Sequence, residues 1–239
     1  MQPNSGASVF RWLWTAKGVS VVTLRLSYLN EMPDLYYLPG SSPCRAVLMV
    51  AEAVGVQLNL KLLDLMAGEH RTPEFTRLNL QRSIPTLVDG GTVLCESRAI
   101  LLYLCDRYAR EDIRYPKDVL HRAAVHQRLF FDACVLYPRF TEFYHPQVFG
   151  GAPADEGKRR AFERAVTLLD TFLGECEFVA GPTMTVADIS IFATMATACA
   201  LRFPVASYAN VARWYDQMLA TCPAAKQNVD GAQQFLTYK

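Results

Sequence analysis

The chain has 239 residues, of which 51% are hydrophobic and 11% aromatic, so it can bury a sizeable core and is not a disordered protein. Its 24 basic and 23 acidic residues leave a net charge of +1, which argues against binding nucleic acid or a membrane surface through a basic excess. The sequence contains no run of about 18 apolar residues, so no membrane-spanning helix is predicted. The 7 cysteines include no C-x-x-C pair, so we expect reduced thiols in the cytoplasm rather than a zinc cluster or a disulfide scaffold.

Residues 1–31 differ from the rest of the chain. They carry three basic residues against one acidic residue, whereas the remaining 208 residues have one more acidic than basic residue. Their second half alternates apolar and polar residues as a strand does, with apolar positions at Val22, Leu24, Leu26 and Tyr28. We expect an N-terminal extension outside the domains. A transit peptide, an extension ahead of a second start at Met32, and a segment disordered in its first half all remain open.

The chain from Asp34 onwards predicts a β-α-β unit followed by a β-β-α unit. Hydroxyl residues before a proline mark the start of the first helix, and Gly90-Gly91 marks the turn of a hairpin. The predicted elements are strands over Leu35–Leu38 and Leu58–Leu63, a helix from about Cys44 to Val54, hairpin strands over Ile84–Asp89 and Thr92–Leu94, and a helix over Ser97–Tyr108. This order is that of a thioredoxin-like fold.

A polar, proline-containing linker over residues 111–118 then leads into a region with helical periodicity only. Residues 150–153 break its first long helices apart, and two more helices are predicted from Thr185 to about Ala200 and from Tyr208 to Leu219. Asp188 is expected to reach back to Thr185 as part of a capping box. The predicted domains are an extension over 1–31, a thioredoxin-like domain over 32–110, the linker, and an all-helical domain over 119–239.

The start of the first helix is the first candidate site. Redox proteins of this fold place their attacking cysteine there, because the free N–H groups and the positive end of the helix stabilise a thiolate. Ser41 stands at that position, and its hydroxyl can instead donate a hydrogen bond to a thiolate carried by a ligand. The alternative is that Ser41 only caps the helix. Cys44, one turn further, is expected to be a buried and unreactive thiol.

Two further segments have the chemistry of a binding site. If the Ile84–Pro85 bond is cis, the residue before the proline exposes backbone groups to a peptide-like ligand; the alternative is an ordinary proline at the entry to a strand. In Glu96-Ser97-Arg98, Glu96 suits an amine, while Ser97 and the helix start suit a carboxylate. The alternative there is a capped helix with a solvated ion pair.

Several segments, taken together, resemble at matching spacing those of insect-type delta-class glutathione S-transferases, or of the closely related epsilon class. They are Tyr36–Arg45, Ala67–His70, Ser83–Asp89, Glu96–Ile100, Gln127–Asp132, Tyr144–Phe149 and Thr185–Asp188. The resemblance runs from about Met32 to the C-terminus. It implies a cytoplasmic homodimer with a glutathione-binding thioredoxin-like domain and an all-helical domain. It also implies a detoxification enzyme that needs no metal and conjugates glutathione, its co-substrate, to hydrophobic electrophiles.

The same resemblance implies the site residues. Ser41 would activate the glutathione thiol. Glutathione would be held by His70, Arg82, Ile84, Pro85, Glu96, Ser97 and Arg98, with Asp132 interacting with Arg98 either as a helper or as a structural ion pair. The hydrophobic substrate would be held by Leu38, Pro39, Tyr137, Phe140, His145 and Phe149, with Phe203 a weaker candidate.

Two positions depart from the family's pattern. Arg82 stands where the family usually has a histidine, and we expect its guanidinium to serve the glycyl carboxylate of glutathione. His145 stands where the family usually has an aromatic residue. These departures keep open a non-catalytic or weakly catalytic protein that binds hydrophobic ligands. A scaffold role is disfavoured by the intact set of site residues, and a thiol oxidoreductase by serine at position 41.

Overall fold

The computed structural model describes residues 9–15, 18–24 and 32–238. In the N-terminal segment, strands β1 (Val9–Thr15) and β2 (Gly18–Leu24) pair antiparallel. Val22 and Leu24 of the predicted strand lie in β2, whereas Leu26 and Tyr28 lie outside the described residues. The treatment of residues 1–31 as a separate extension stays a prediction.

The next part of the chain forms a four-stranded sheet with helices packed on it. Its elements are β3 (Asp34–Tyr37), α1 (Ser42–Val54), β4 (Asn59–Leu62), α2 (Pro73–Leu78), β5 (Thr86–Asp89), β6 (Thr92–Cys95) and α3 (Ser97–Tyr108). The strands follow the order β4-β3-β5-β6, where β3 and β4 are parallel and the β3–β5 and β5–β6 pairs are antiparallel. The predicted thioredoxin-like order is therefore confirmed, and the short α2 is an addition to it.

Helix α1 is buried on almost its whole circumference. It connects the parallel strands β3 and β4, packs with α3, and on its other side contacts the helix over Val186–Ala200 in the helical half. Nine of its 13 residues are buried, including the side chain of Arg45. Gly55 ends the helix in the left-handed conformation, with φ of 73°, which glycine adopts without steric cost. Position 41, at the N-terminus of α1, therefore lies where the two halves of the molecule meet.

The rest of the described chain is helical, as predicted. Its helices are α4 (Val119–Phe131), α5 (Tyr137–Gly150), α6 (Glu156–Glu175), α7 (Val186–Ala200), α8 (Ala209–Thr221) and α9 (Ala225–Gln234), followed by a 3-10 turn over Phe235–Thr237. A π-helical turn over Asp132–Leu136 joins α4 to α5, and α5 ends at the predicted glycine break. Sequence patterns missed α9, because its buried face consists of the small or polar residues Ala225, Asn228, Gly231 and Ala232.

Helix α7 is the centre of the helical half, with every residue from Val186 to Ala198 buried. The carboxylate of Asp188, in its first turn, accepts hydrogen bonds from the backbone N–H of Thr185 and of Val179, both at 2.8 Å, and from the indole N–H of Trp214 at 3.0 Å. The predicted reach of Asp188 back to Thr185 is confirmed. Within the described residues, no helix has both the length and the apolar character needed to cross a membrane.

Candidate functional site

A cavity of about 420 Å³ lies between the sheet half and the helical half. Its floor comes from the loop after β3, the first turn of α1, and the segments around residues 70 and 83. Its opposite wall comes from α5 and from the turn after α9. The predicted site residues that line it are Leu38, Ser41, His70, Arg82, Ile84, Tyr137, Phe140, His145 and Phe149. Residues far apart in sequence thus meet around one space.

Ser41 is the N-cap residue of α1, yet its side chain makes no hydrogen bond that caps the helix. Its backbone is held on both sides: its N–H donates to the carbonyl of Leu38 at 3.0 Å, and its own carbonyl accepts from the N–H of Arg45 at 3.0 Å. The hydroxyl borders the cavity at the positive end of a 13-residue helix. A capping role alone therefore does not account for this serine.

Cys44 lies one turn into α1 and is completely buried. Burial raises the pKa of its thiol to about 11, so the thiolate that would react is scarce at neutral pH. This agrees with the prediction of an unreactive thiol.

Alkylation with iodoacetamide, mapped by mass spectrometry, is expected to modify the exposed Cys134 and Cys176 in the native protein and to leave Cys44 unmodified. In denaturant all three are expected to react. Modification of native Cys44 at the rate of the two exposed thiols would contradict its placement.

The segment around residues 70 and 82–85 forms the polar side of the cavity. The buried Nδ1 of His70 has no hydrogen-bond partner among the described residues, while its Nε2 accepts from Nε of Arg71 at 3.2 Å. Arg82 is exposed and has a φ of 53°, in the left-handed region. The Ile84–Pro85 peptide bond is cis, which is the first of the two alternatives left open by the sequence, and Pro85 itself is buried. A cavity wall that includes a histidine and an exposed guanidinium suits an anionic or polar ligand group.

Glu96 and Ser97 stand at the start of α3 and do not line the 420 Å³ cavity. Glu96 is exposed and has a φ of 70°, a conformation that costs a non-glycine residue about 1–3 kcal/mol and that is often found at binding sites. Ser97 is buried, and its hydroxyl oxygen accepts a hydrogen bond from Nη1 of Arg98 at 3.0 Å. The strained turn directs the Glu96 side chain into solvent rather than into the protein.

Arg98 connects α3 to the π-helical turn of the helical half. Its Nη2 and Nε donate to Oδ2 of Asp132 at 2.7 and 3.0 Å, so the pairing that the family resemblance implies is present. The hydroxyl of Ser190, on α7, donates to the same oxygen at 2.6 Å. Asp132 is fully buried, and its second oxygen, Oδ1, has no partner among the described residues. Either role predicted for Asp132 needs this ion pair.

The apolar wall of the cavity is a cluster of rings on α5 and the C-terminal turn. The His145 ring packs edge-on against Phe149 at 5.2 Å and is tilted against Phe235 at 5.7 Å. Burial lowers the pKa of His145, so the ring is neutral at neutral pH and packs as an aromatic residue. This removes much of the contrast with the aromatic residue usual in the family.

The structure changes the predicted hydrophobic set in three ways. Pro39 lines two smaller neighbouring cavities, of about 230 and 380 Å³, rather than the main one. Phe203 packs against Phe162 at 4.9 Å in the core. Phe235 and Tyr238 join the wall and were missed, because they follow a helix that the sequence pattern did not reveal. An aromatic pair three residues apart near the end of the chain was the available signal.

Comparisons with known proteins can now be set beside this geometry. Residues 32–106 match the family model described as "Glutathione S-transferase, N-terminal domain". Glutathione S-transferase 2 of Anopheles gambiae is 67% identical over 209 residues, which are 87% of this chain and 100% of that protein. The chain belongs to the glutathione S-transferase family.

Solved structures of other glutathione transferases agree in fold with this one. A delta-class enzyme of Nilaparvata lugens is 49% identical, with a TM-score of 0.83, covering 86% of this chain and 97% of that one. A Bombyx mori glutathione transferase is 40% identical, with a TM-score of 0.84, covering 88% and 99%. The delta-class resemblance and the two-part fold are thereby confirmed. In the part of this transferase that the structure describes, no three His, Cys, Asp or Glu residues are grouped so as to hold a metal ion.

Proposed function

We propose that this glutathione transferase activates the glutathione thiol at Ser41 and conjugates it to hydrophobic electrophiles held by the aromatic wall. One observation carries the proposal: a serine hydroxyl that does not cap its helix borders a cavity whose opposite wall is a cluster of rings. A polar catalytic floor facing an apolar wall suits a peptide thiol on one side and a hydrophobic acceptor on the other.

In this mechanism the Ser41 hydroxyl donates a hydrogen bond to the glutathione sulfur. That bond and the positive end of α1 favour the thiolate, and the thiol proton leaves to solvent. The sulfur lone pair then forms a bond to the electrophilic carbon, and a leaving group departs with the electrons of the broken bond. Because both reactants share one cavity, part of the barrier is removed by proximity and orientation.

The same proposal assigns the remaining residues to parts of glutathione. Ile84, beside the cis Pro85, would pair with the backbone of the cysteinyl residue. His70 and Arg82, which both line the cavity, would bind the glycyl carboxylate. The γ-glutamyl group would be held at the start of α3 by the exposed carboxylate Glu96, which suits its amine, and by Ser97 and Arg98, which suit its carboxylate.

We also infer, from the family, a homodimer in the cytoplasm with a role in detoxification. The domain boundaries predicted from the sequence, 32–110 and 119–239 with a linker between them, are part of the same proposal. The segment between residue 110 and the start of α4 contains a 3-10 turn over Asp112–Arg114, which agrees with a linker.

The alternative, a binding protein with little turnover, is separated from the enzyme by a conjugation assay. With glutathione and 1-chloro-2,4-dinitrobenzene we expect thioether and chloride to form over many turnovers, with a kcat of roughly 1–100 s⁻¹. If the protein is retained on a glutathione affinity column yet yields no more than one thioether per active site, the result would contradict the enzymatic proposal and favour a binding protein. Heat-denatured protein serves as the blank for the spontaneous reaction.

A further inference from the structure

Hydrogen bonds with Tyr238 and with Arg45 hold Pro39 and Gly40, the two residues before Ser41, in place. The N–H of Gly40 donates a hydrogen bond to the hydroxyl oxygen of Tyr238 at 3.1 Å, across 198 positions of sequence. On the carbonyl side, Nη1 of Arg45 donates to the oxygen of Gly40 at 2.6 Å and to that of Pro39 at 3.4 Å. The Pro39–Gly40 loop is therefore fixed at its N–H and at its carbonyls at once.

Arg45 itself is anchored deep in the helical half. It is 2% exposed, and its Nε donates to Oδ1 of Asn228 on α9 at 2.8 Å. Its Nη2 donates to the carbonyl of Ala193 at 2.9 Å and to the hydroxyl of Thr197, both on α7. Every hydrogen-bonding nitrogen of the guanidinium is thus engaged with a neutral oxygen, and no carboxylate among the described residues pairs with it. Burying a cation without a carboxylate partner is costly, and these hydrogen bonds to neutral oxygens offset part of that cost.

Two glycines allow the Pro39–Gly40 loop and the C-terminal segment to approach each other closely. A Cβ on Gly231 of α9 would lie 2.8 Å from the carbonyl oxygen of Pro39 and 2.6 Å from Cδ of Arg45. A Cβ on Gly40 would collide with the ring of Tyr238. The loop and the C-terminal segment therefore touch through bare backbone, which leaves little room for the loop to shift.

We propose that Arg45 and Tyr238 are positioning residues, which clamp the Pro39–Gly40 loop to the C-terminal segment and thereby aim the Ser41 hydroxyl at the glutathione sulfur. The proposal rests on the proposed role of Ser41. Since Ser41 directly follows Gly40, a rotation of the clamped peptide changes where the hydroxyl points. Misplacing a catalytic group by about 1 Å can cost roughly 100-fold in rate, so even a partial loss of the clamp is measurable.

Tyr238→Phe is the most specific test, because it removes the acceptor for Gly40 N–H and keeps the ring in the cavity wall. We expect kcat to fall about five-fold, with KM for the electrophile changed less than about two-fold. The thiolate absorbance of bound glutathione, titrated against pH, is expected to move to higher pH. The titratable groups that line the cavity are His70, Arg82, Tyr137, His145 and Tyr238, and Arg45 interacts in addition with Cys44 and Tyr215.

Tyr115→Phe is the matched control. It removes one tyrosine hydroxyl that bonds to Nε2 of His126 at 2.7 Å, away from the cavity, and is expected to leave kcat and the thiolate titration unchanged. Gly231→Ala perturbs the Arg45 side of the clamp, because the added Cβ would lie 2.6 Å from Cδ of Arg45, and it is expected to lower kcat in the same direction as Tyr238→Phe.

Three results would overturn the clamp: wild-type kcat and titration in Tyr238→Phe, a change confined to KM for the electrophile, or equal losses in Tyr238→Phe and Tyr115→Phe. Ser41→Ala separates this failure from that of the proposed function. If Ser41→Ala is inactive and Tyr238→Phe is unaffected, only the clamp fails. If Ser41→Ala keeps full activity, the role of Ser41 fails and the clamp fails with it.

Discussion

Ser41→Ala is expected to lower kcat for glutathione conjugation about 10²- to 10³-fold, the usual cost of removing one donor that stabilises a reacting anion. KM for glutathione is expected to stay within about three-fold, since the tripeptide's other contacts remain. The pH profile of kcat/KM should move to higher pH, because the sulfur loses the hydrogen bond that favours its thiolate. Steady-state kinetics across pH measures all three quantities. Residual activity above the spontaneous reaction is expected, because the α1 N-terminus and the cavity remain.

The neighbouring Ser42 offers a stringent control. It is the first residue of α1, it is buried, and it also borders the cavity. Ser42→Ala removes the hydroxyl of the neighbouring serine and is expected to keep kcat close to that of the wild type. Equal losses in the two variants would mean that the chemistry does not depend on the Ser41 hydroxyl in particular. Full activity in Ser41→Ala would refute its role altogether.

Asp132→Ala is expected to lower the free energy of unfolding by about 3 kcal/mol. Removing this carboxylate leaves Arg98, whose side chain is 15% exposed, without its partner and deprives the buried Ser190 hydroxyl of its acceptor. Urea denaturation followed by intrinsic fluorescence measures the loss. Since Arg98 lies beside the proposed γ-glutamyl site, KM for glutathione in the folded variant also distinguishes the two roles predicted for Asp132: a helper raises it and a structural pair leaves it unchanged.

Glu74→Ala is the control for this second prediction. Glu74 pairs with Arg77 at 3.0 Å on the surface of α2, and both side chains are more than 70% exposed. Ion pairs of this kind contribute little because water already solvates both charges, so its free energy of unfolding should match the wild type within error. A loss in Asp132→Ala no larger than in Glu74→Ala would show that the buried pair does not stabilise the contact between the two halves.

Local patterns predicted most of the fold. The proline and hydroxyls before α1, the glycine turn of the β5–β6 hairpin and the Thr185–Asp188 cap each act within a few residues, so their positions follow from the sequence. Part of the cavity floor follows for the same reason, since Ser41 stands at the start of α1 and Ile84 shortly before β5.

The rest depended on contacts between distant parts of the chain. Tyr238 meets Gly40 across 198 positions, and no period or motif records such a pairing. Helix α9 was hidden because close approach to the loop selects Gly231 and small neighbours in place of an apolar stripe. Leu38 and Ser41 line the main cavity, whereas Pro39, between them in the loop, lines a neighbouring cavity together with residues of α9.

The burial of α1 on nearly all sides has a consequence for how sequence changes are tolerated. The carbonyl of Ala193, in the middle of α7, is one hydrogen bond from Arg45, and Arg45 is one hydrogen bond from the residue before Ser41. A substitution that shifts α7 in the core therefore displaces the proposed catalytic hydroxyl through these two hydrogen bonds, without altering any residue of the cavity. Substitutions that lower activity are therefore expected to occur among the buried residues of α7 as often as among the residues that line the cavity.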